Sequence, residues 1–183
     1  MVLVVKNTLV EEFEEYFGKG IDTSKNHLET VTDKNGKVTK RWVRNEAEHE
    51  KFKAFKTFCF NYAREKFQGK TFRNENKNVD ILVSRTGLDE WFSKTKTYEQ
   101  AESIKHLDEI LKKAVYNHHG ENEHPKKGDE KSTFDYYDYK LNINGKYYAV
   151  VLTVKNVQGQ GSIYYHHFLD DIKIEPSSSM IQP

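Results

Sequence analysis

The last third of the sequence contains two alternating segments, FDYYDYKLNI and KYYAVVLTVK, separated by Asn144-Gly145. Asn-Gly is the dipeptide that most readily adopts the positive φ angles of a two-residue hairpin turn. Because so short a turn permits one pairing register, the opposing residues follow by counting outward from it. Tyr136 then lies opposite Thr153, and Phe134 lies opposite Lys155. The sequence therefore predicts a long antiparallel hairpin at the centre of the fold.

This register gives the hairpin two different faces. One face is apolar and includes Tyr137, Tyr139 and Leu141. An amphipathic helix predicted over Tyr98–Ala114, which begins with a capping-box pair at Thr97 and Gln100, is expected to cover it. The opposite face is polar and open, and its members are Phe134, Tyr136, Asp138, Lys140, Thr153 and Lys155.

A third strand, predicted over SIYYHHFLDDIKIEP, extends the sheet. Because side chains alternate along a strand, it should add either Tyr164 and His166 or Tyr165 and His167 to the open face. The loop NVQGQGS is too long to fix which of the two pairs faces out. In either register one histidine of the adjacent pair is expected on the open face, and the other on the helix side.

The remainder of the chain predicts an α+β protein. The N-terminal part reads as a helix-hairpin-helix unit: a short helix over Leu9–Phe17, a hairpin turning at Asn35-Gly36, and an aromatic helix through Phe52 and Cys59. A polar boundary near Asn78 suggests three parts, namely a first unit over 1–78, a second domain over 79–176 and a frayed tail over 177–183. The stretch NHHGENEHPKKGDEK is predicted to be an exposed loop.

Charge and composition narrow the classes of function. Twenty-nine Lys and Arg against 28 Asp and Glu give a net charge of +1, so any nucleic-acid site must be a local patch. The single cysteine, Cys59, excludes an intrachain disulfide and a cysteine-type zinc site. His118, His119 and His124 fall close together, but a surface loop is the better interpretation than a metal site. We therefore expect no metal or cofactor.

The N-terminal segment MVLVVKNTLVEEFEEYF fits neither a signal peptide nor a membrane span. The expected location is the cytoplasm of a host cell, without membrane contact. Association with a virion, or export by a route that leaves no ordinary signal, stays open.

From about Gly69 onward the chain resembles the large polyvalent protein-associated domains of the third type, found in phage and MuF-type proteins. The resemblance rests on the segments ILVSRTGLDEWFSK, SIKHLDEILKKAV, YYDYKLNINGKYYAVVLTVK and IYYHHFLDDI. These domains are grouped with the barnase, EndoU, colicin and RelE-like ribonucleases. The resemblance implies a helix packed on an antiparallel sheet, and metal-independent RNA cleavage by attack of the 2′-hydroxyl on the adjacent phosphate.

Such cleavage needs a base near neutrality, an acid for the leaving oxygen and donors for the phosphate oxygens. The resemblance implies a catalytic set of His106, Thr153, Lys155, Tyr165 and His166. Substrate contacts are predicted for Lys94, Tyr136 and Lys140. The implied partner is RNA, such as tRNA or another structured RNA, and an inhibitor or a phage or host protein is a further candidate.

Three alternatives stay open at this point. His106 reads equally well as a flanking residue of an amphipathic helix. The same sheet also suits a non-catalytic phage accessory or anti-defence protein, because tyrosine-rich strands contact proteins as readily as bases. Residues before Asn78 are a candidate element for holding a nuclease silent.

Overall fold

The computed structural model describes residues 27–43 and 46–171. The helix predicted over Leu9–Phe17 and the tail predicted over 177–183 lie outside these residues. Strand β1 (His27–Thr32) pairs with strand β2 (Val38–Val43) as an antiparallel hairpin, which confirms the predicted hairpin. Its connection is a five-residue loop over 33–37 rather than a two-residue turn, and of Asn35 and Gly36 only Gly36 has a positive φ. Gly36 has a φ of 77°, a conformation that glycine adopts without steric cost.

A six-stranded sheet forms the centre of the fold, in the order β3-β4-β8-β7-β6-β5. Its strands are β3 (Thr71–Asn74), β4 (Val79–Leu82), β5 (Val115–Glu121), β6 (Thr133–Ile143), β7 (Lys146–Val157) and β8 (Gly161–Asp171). The register of β6 on β7 is the one counted from Asn144-Gly145, both of which have positive φ angles. The sheet is mixed rather than wholly antiparallel, because β4 and β8 run parallel.

One face of the sheet is covered by helices, so the predicted α+β class is confirmed. The helical elements are α1 (Glu46–Lys66), α2 (Arg85–Lys94), α3 (Tyr98–Glu102), a 3-10 turn (Ser103–His106) and α4 (Leu107–Lys113). The single helix predicted over Tyr98–Ala114 is thus divided into three pieces. Its predicted apolar residues nevertheless face the core, where Ala101, Ile104, Leu107 and Leu111 are fully buried.

The predicted capping box at Thr97 and Gln100 forms only in part. The Thr97 hydroxyl accepts a hydrogen bond from the Gln100 amide at 3.2 Å. The Gln100 side chain turns to β8 instead, where it donates to the His167 carbonyl at 2.5 Å and accepts from the Leu169 amide at 2.9 Å. The helix start is therefore attached to the backbone of the last strand.

A single hydrophobic core runs across the predicted boundary near Asn78. Phe55, Cys59 and Ala63 of α1 belong to the same buried cluster as Trp91 and Leu152. Asn78 itself lies between β3 and β4, which pair with each other in the central sheet. The structure therefore has no break in packing at this position.

Strand β5 replaces part of the loop predicted for NHHGENEHPKKGDEK. The segment Val115–Glu121 is polar and has no apolar alternation, which is why the sequence indicated a loop. It nevertheless pairs with the outer edge of β6 as the last strand of the sheet. Tertiary pairing overrides weak strand propensity here, because the edge of β6 offers backbone partners.

Candidate functional site

Four side chains form one row across the open face of the sheet. His118 of β5 pairs with Tyr136 of β6, Tyr136 pairs with Thr153 of β7, and Thr153 pairs with His166 of β8. Residues paired across neighbouring strands point to the same side of a sheet. The row, defined as His118, Tyr136, Thr153 and His166, thus places an imidazole at each end of a phenol and a hydroxyl.

Two β-bulges bring the side chains at the ends of the row onto this face. In β5 the register shifts between Tyr116 and His118, so His118 lies opposite Tyr136. In β8 the register shifts at the step from Thr153 to Val154, so Tyr165 has no partner between Tyr164 and His166. A bulge inserts one unpaired residue, bends its strand and re-aims the neighbouring side chains.

The bulge in β8 corrects the expectation from strict alternation. Tyr165 and His166 both line the open groove, although they are adjacent in sequence. Tyr164 and His167 lie on the helix side, where His167 is 2.7 Å from the Ser103 hydroxyl and 2.9 Å from the Tyr164 hydroxyl. One histidine of the pair is thus on the open face and the other on the helix side, as expected, and both side chains are buried, His166 at the base of the groove.

The groove around the row has a volume of about 540 Å³. Its lining residues are Lys94, His118, Gly120, Glu121, Asn122, Glu123, His124, Phe134, Tyr136, Thr153, Tyr165 and His166. Aromatic rings and residues of both charges therefore share one groove, whose lining is more polar than that of most small-molecule sites.

His166 is the most perturbed group in the groove. The centre of its imidazole ring is 5.0 Å from the centre of the Tyr165 ring and 4.5 Å from that of the Phe168 ring. Its buried Nδ1 has no hydrogen-bond partner among the described residues. Burial lowers the pKa of His166 to about 4, the positive charge of Lys94 acts in the same direction, and Glu90 opposes both. At neutral pH the imidazole is uncharged, and a pKa of about 4 makes it a weaker base than the near-neutral base expected for this cleavage.

Helix α2 supplies a charged pair beside Tyr165. The Tyr165 hydroxyl donates to Glu90 at 2.8 Å, and Lys94 Nζ lies 3.4 Å from the same carboxylate. Burial and then this hydrogen bond raise the pKa of Tyr165 to about 12, so its phenol stays protonated at neutral pH. Burial alone would raise the pKa of Glu90, but the Tyr165 hydrogen bond and the Lys94 charge lower it overall.

Lys155 lies next to the groove but is already paired. Its ammonium is 2.5 Å from Asp129 of the β5–β6 loop and 5.9 Å from the centre of the Tyr165 ring. Its charge is therefore largely neutralised by Asp129. Lys155 supports the loop and the Tyr165 ring in this arrangement.

Two predicted residues lie away from the row. His106 lines a separate cavity of about 470 Å³, and its Nδ1 is 3.8 Å from Glu109, which accepts a hydrogen bond from Tyr139 on the helix-covered face. The sheet thus separates His106 from the row. Lys140 is four residues from Tyr136, roughly 13 Å along β6, and its ammonium lies 4.4 Å above the Tyr147 ring.

Sequence reasoning missed the contribution of β5. His118, Gly120 and His124 line the groove, yet all three fell within the segment predicted as an exposed loop. His119 points to the opposite face, where its Nδ1 is 2.8 Å from the buried carboxylate of Asp135. Among residues 27–43 and 46–171, no three His, Cys, Asp or Glu side chains converge as metal ligands.

No helix in the described part of the chain is long and apolar enough to cross a membrane.

Comparisons with known proteins identify one family. The family described as large polyvalent protein-associated domain 3 matches residues 50–165, well over half of the 183 residues. The match includes most of α1 as well as most of the central sheet, and it ends at Tyr165, the residue before His166. No curated protein and no solved structure matches the chain significantly. This family match establishes that the chain belongs to the large polyvalent protein-associated domain 3 family.

Proposed function

We propose that the groove is the site of a metal-independent endoribonuclease of phage origin. The observation that carries the proposal is the row itself, in which His166, whose buried imidazole is uncharged at neutral pH, lies opposite Thr153 on the open face of the sheet. Lys94 and the protonated phenol of Tyr165 line the same groove. General base, hydroxyl donor and cation are the groups that RNA cleavage by 2′-hydroxyl attack requires.

The proposed reaction assigns one role to each of these groups. His166 removes the proton from the ribose 2′-hydroxyl, and the 2′-oxygen forms a bond to the adjacent phosphorus. The bond from phosphorus to the 5′-oxygen breaks, and that oxygen takes a proton from Tyr165. Lys94 and Thr153 stabilise the negative charge on the phosphate oxygens. The products are a 2′,3′-cyclic phosphate and a free 5′-hydroxyl. His166 then releases its proton to water and Tyr165 takes one back from water, which restores both groups.

A second candidate is a protein-binding module that uses the same face. Phe168 and Tyr147 are each 42% exposed, although large aromatic side chains are usually buried. Both belong to the strands that carry the row, and exposed aromatic residues are common at protein interfaces. Glu121 and Glu123 in the groove lining also oppose the approach of a polyanion.

The decisive experiment is cleavage of total RNA and tRNA by the purified protein with EDTA present. The wild-type chain is compared with His166→Ala, and His106→Ala serves as a matched control because it removes an imidazole on the other side of the sheet. We expect His166→Ala to lose at least about 100-fold in rate, the usual contribution of a general base, while His106→Ala cleaves like wild type.

Each other outcome argues against part of the proposal. Intact RNA at all protein concentrations and across pH 4–9 would remove the nuclease and favour the protein-binding module. Cleavage that is lost in His106→Ala but kept in His166→Ala would move the site to the other cavity. Cleavage of an RNA with a 2′-deoxy nucleotide at the cut position would rule out attack by the 2′-hydroxyl.

A further inference from the structure

We infer that the stacked pair of His118 and Tyr136 is a subsite for an unpaired nucleobase of single-stranded RNA. The inference rests on the proposal that the groove receives RNA, and it assigns a different task to each end of the row. The β5 end holds the base, and the β7–β8 end holds the phosphate at Thr153 and His166. The groove would therefore select RNA that has unpaired bases.

The two rings already form a flat platform. Their centroids are 4.6 Å apart and their planes differ by 16°. His118 is exposed and Tyr136 is half-buried, so the pair presents a π surface that is supported from beneath. The Nδ1 of His118 lies 3.3 Å from the side-chain oxygen of Asn117, the bulged residue, which helps to orient the ring. Base–aromatic stacking is largely independent of base identity, because every base has a π face.

Gly120 leaves the space that the Tyr136 ring occupies. A Cβ atom at position 120 would lie 3.0 Å from Cε2 of Tyr136, closer than side-chain carbons normally approach. The φ of Gly120 is not in the left-handed region, so the backbone conformation does not require glycine here. The close approach of the tyrosine ring is the structural reason for glycine at this position.

The spacing of the β-strands suits a base and a phosphate that belong to the same RNA chain. Neighbouring strands are about 4.8 Å apart, so the backbone of Thr153 lies roughly 5 Å from that of Tyr136 and that of His166 roughly 10 Å. Glu123 and His124 line the groove in the loop that follows β5. The groove that contains the platform thus also offers a carboxylate acceptor and an imidazole, groups of the kind that hydrogen-bond the edges of unpaired bases.

The test measures binding separately from cleavage. A fluorescent 2′-O-methyl single-stranded oligonucleotide cannot be cut by 2′-hydroxyl attack, and its dissociation constant is determined by anisotropy at one fixed salt concentration. The variants are His118→Ala, which removes the ring, and His118→Phe, which keeps a flat ring but transfers no proton. His49→Ala, on the exposed side of α1, is the matched control for loss of a surface imidazole.

We expect His118→Ala to bind the single strand about tenfold more weakly, the effect of losing one stacked base. His118→Phe and His49→Ala should bind like wild type. Gly120→Ala should also weaken binding, because its methyl group displaces the Tyr136 ring. A blunt duplex of the same sequence should bind wild type and His118→Ala equally, since it offers no unpaired base. Equal thermal unfolding midpoints of the two His118 variants show that the ring, and not the fold, is responsible.

The outcomes separate this inference from the nuclease proposal. Unchanged binding in His118→Ala, or an equal loss in His118→Phe, would overturn the platform even if the protein cleaves RNA. Absence of any binding to the single strand would overturn it as well. Weaker binding in His118→Ala but not in His118→Phe, together with no cleavage of unmodified RNA, would support the platform and refute the nuclease.

Discussion

Gly87 offers the sharpest test of how the helices and the sheet are joined. It is fully buried in α2, and a Cβ atom built on it would lie 2.0 Å from the carbonyl oxygen and 3.0 Å from the carbonyl carbon of Tyr164 in β8. Both atoms belong to the backbone, so no side-chain rotation relieves the overlap. Gly87→Ala must therefore push α2 away from β8.

The expected sign is opposite to that of an ordinary helix. Replacing glycine by alanine within an exposed helix stabilises it by about 1 kcal/mol. Overpacking a tight contact costs about 1–3 kcal/mol, and more where backbone must move. We expect Gly87→Ala to lower the free energy of unfolding by about 2 kcal/mol in total, which for a chain of this length lowers the unfolding midpoint by roughly 4–8 °C.

The consequence should reach the groove, because α2 also carries Glu90, which accepts a hydrogen bond from Tyr165, and Lys94, whose ammonium lies 4.8 Å from the centre of the Tyr165 ring. The assay is thermal unfolding followed by circular dichroism, with Asp89→Ala on the exposed side of α2 as the control, expected to stay within about 0.5 kcal/mol of wild type. A midpoint that rises in Gly87→Ala would refute the reasoning, since it would mean that α2 does not press on β8.

Three further predictions concern the histidines. Ser103→Ala removes the hydroxyl 2.7 Å from His167 Nε2 and should cost about 1–3 kcal/mol in urea unfolding, because a buried nitrogen loses its partner; an unchanged midpoint would contradict this. Burial lowers the folded-state pKa of His166 to about 4 and of His167 to about 3, so below pH 6.5 the unfolded chain takes up protons first. The free energy of unfolding should therefore be highest above pH 6.5 and should fall toward pH 4 by up to about 1.4 kcal/mol per pH unit for each histidine. Equal urea midpoints at pH 7 and pH 5 would argue against this expectation. If His166 is the base, kcat/KM for RNA cleavage should rise with pH and be half-maximal near pH 4; a half-maximum near pH 6.5 would point to a different base.

The central hairpin was predictable in detail because its turn is short. Asn144-Gly145 permits one register, and every pair counted outward from it, including Tyr136 with Thr153, is present in the sheet. The hairpin at Asn35-Gly36 and the buried aromatic residues of α1 follow from equally local patterns. The family resemblance added Tyr165 and His166 to the candidate site, a combination that strict alternation along β8 would not place on one face.

The β5 side of the site was not predictable from local pattern. The segment Val115–Glu121 has the composition of a loop and becomes a strand only because the edge of β6 is available to pair with it. His106, in contrast, was predicted as a catalytic residue, and it lies away from the row. A histidine on an amphipathic helix can lie on either flank, and only the packing of this segment against the helix-covered face places His106 on the side of the sheet away from the row.

By itself, then, the sequence determined the elements whose geometry is local: two hairpins, the apolar sides of the helices, and the polar character of the open face. Tertiary structure alone decided which side chains share that face. Two bulges, in β5 and β8, shift the alternation by one residue and bring His118, Tyr165 and His166 to one groove. The physical reason is that a bulge depends on how well backbone and side chains fit neighbouring strands and helices, and those neighbours lie far away in the sequence.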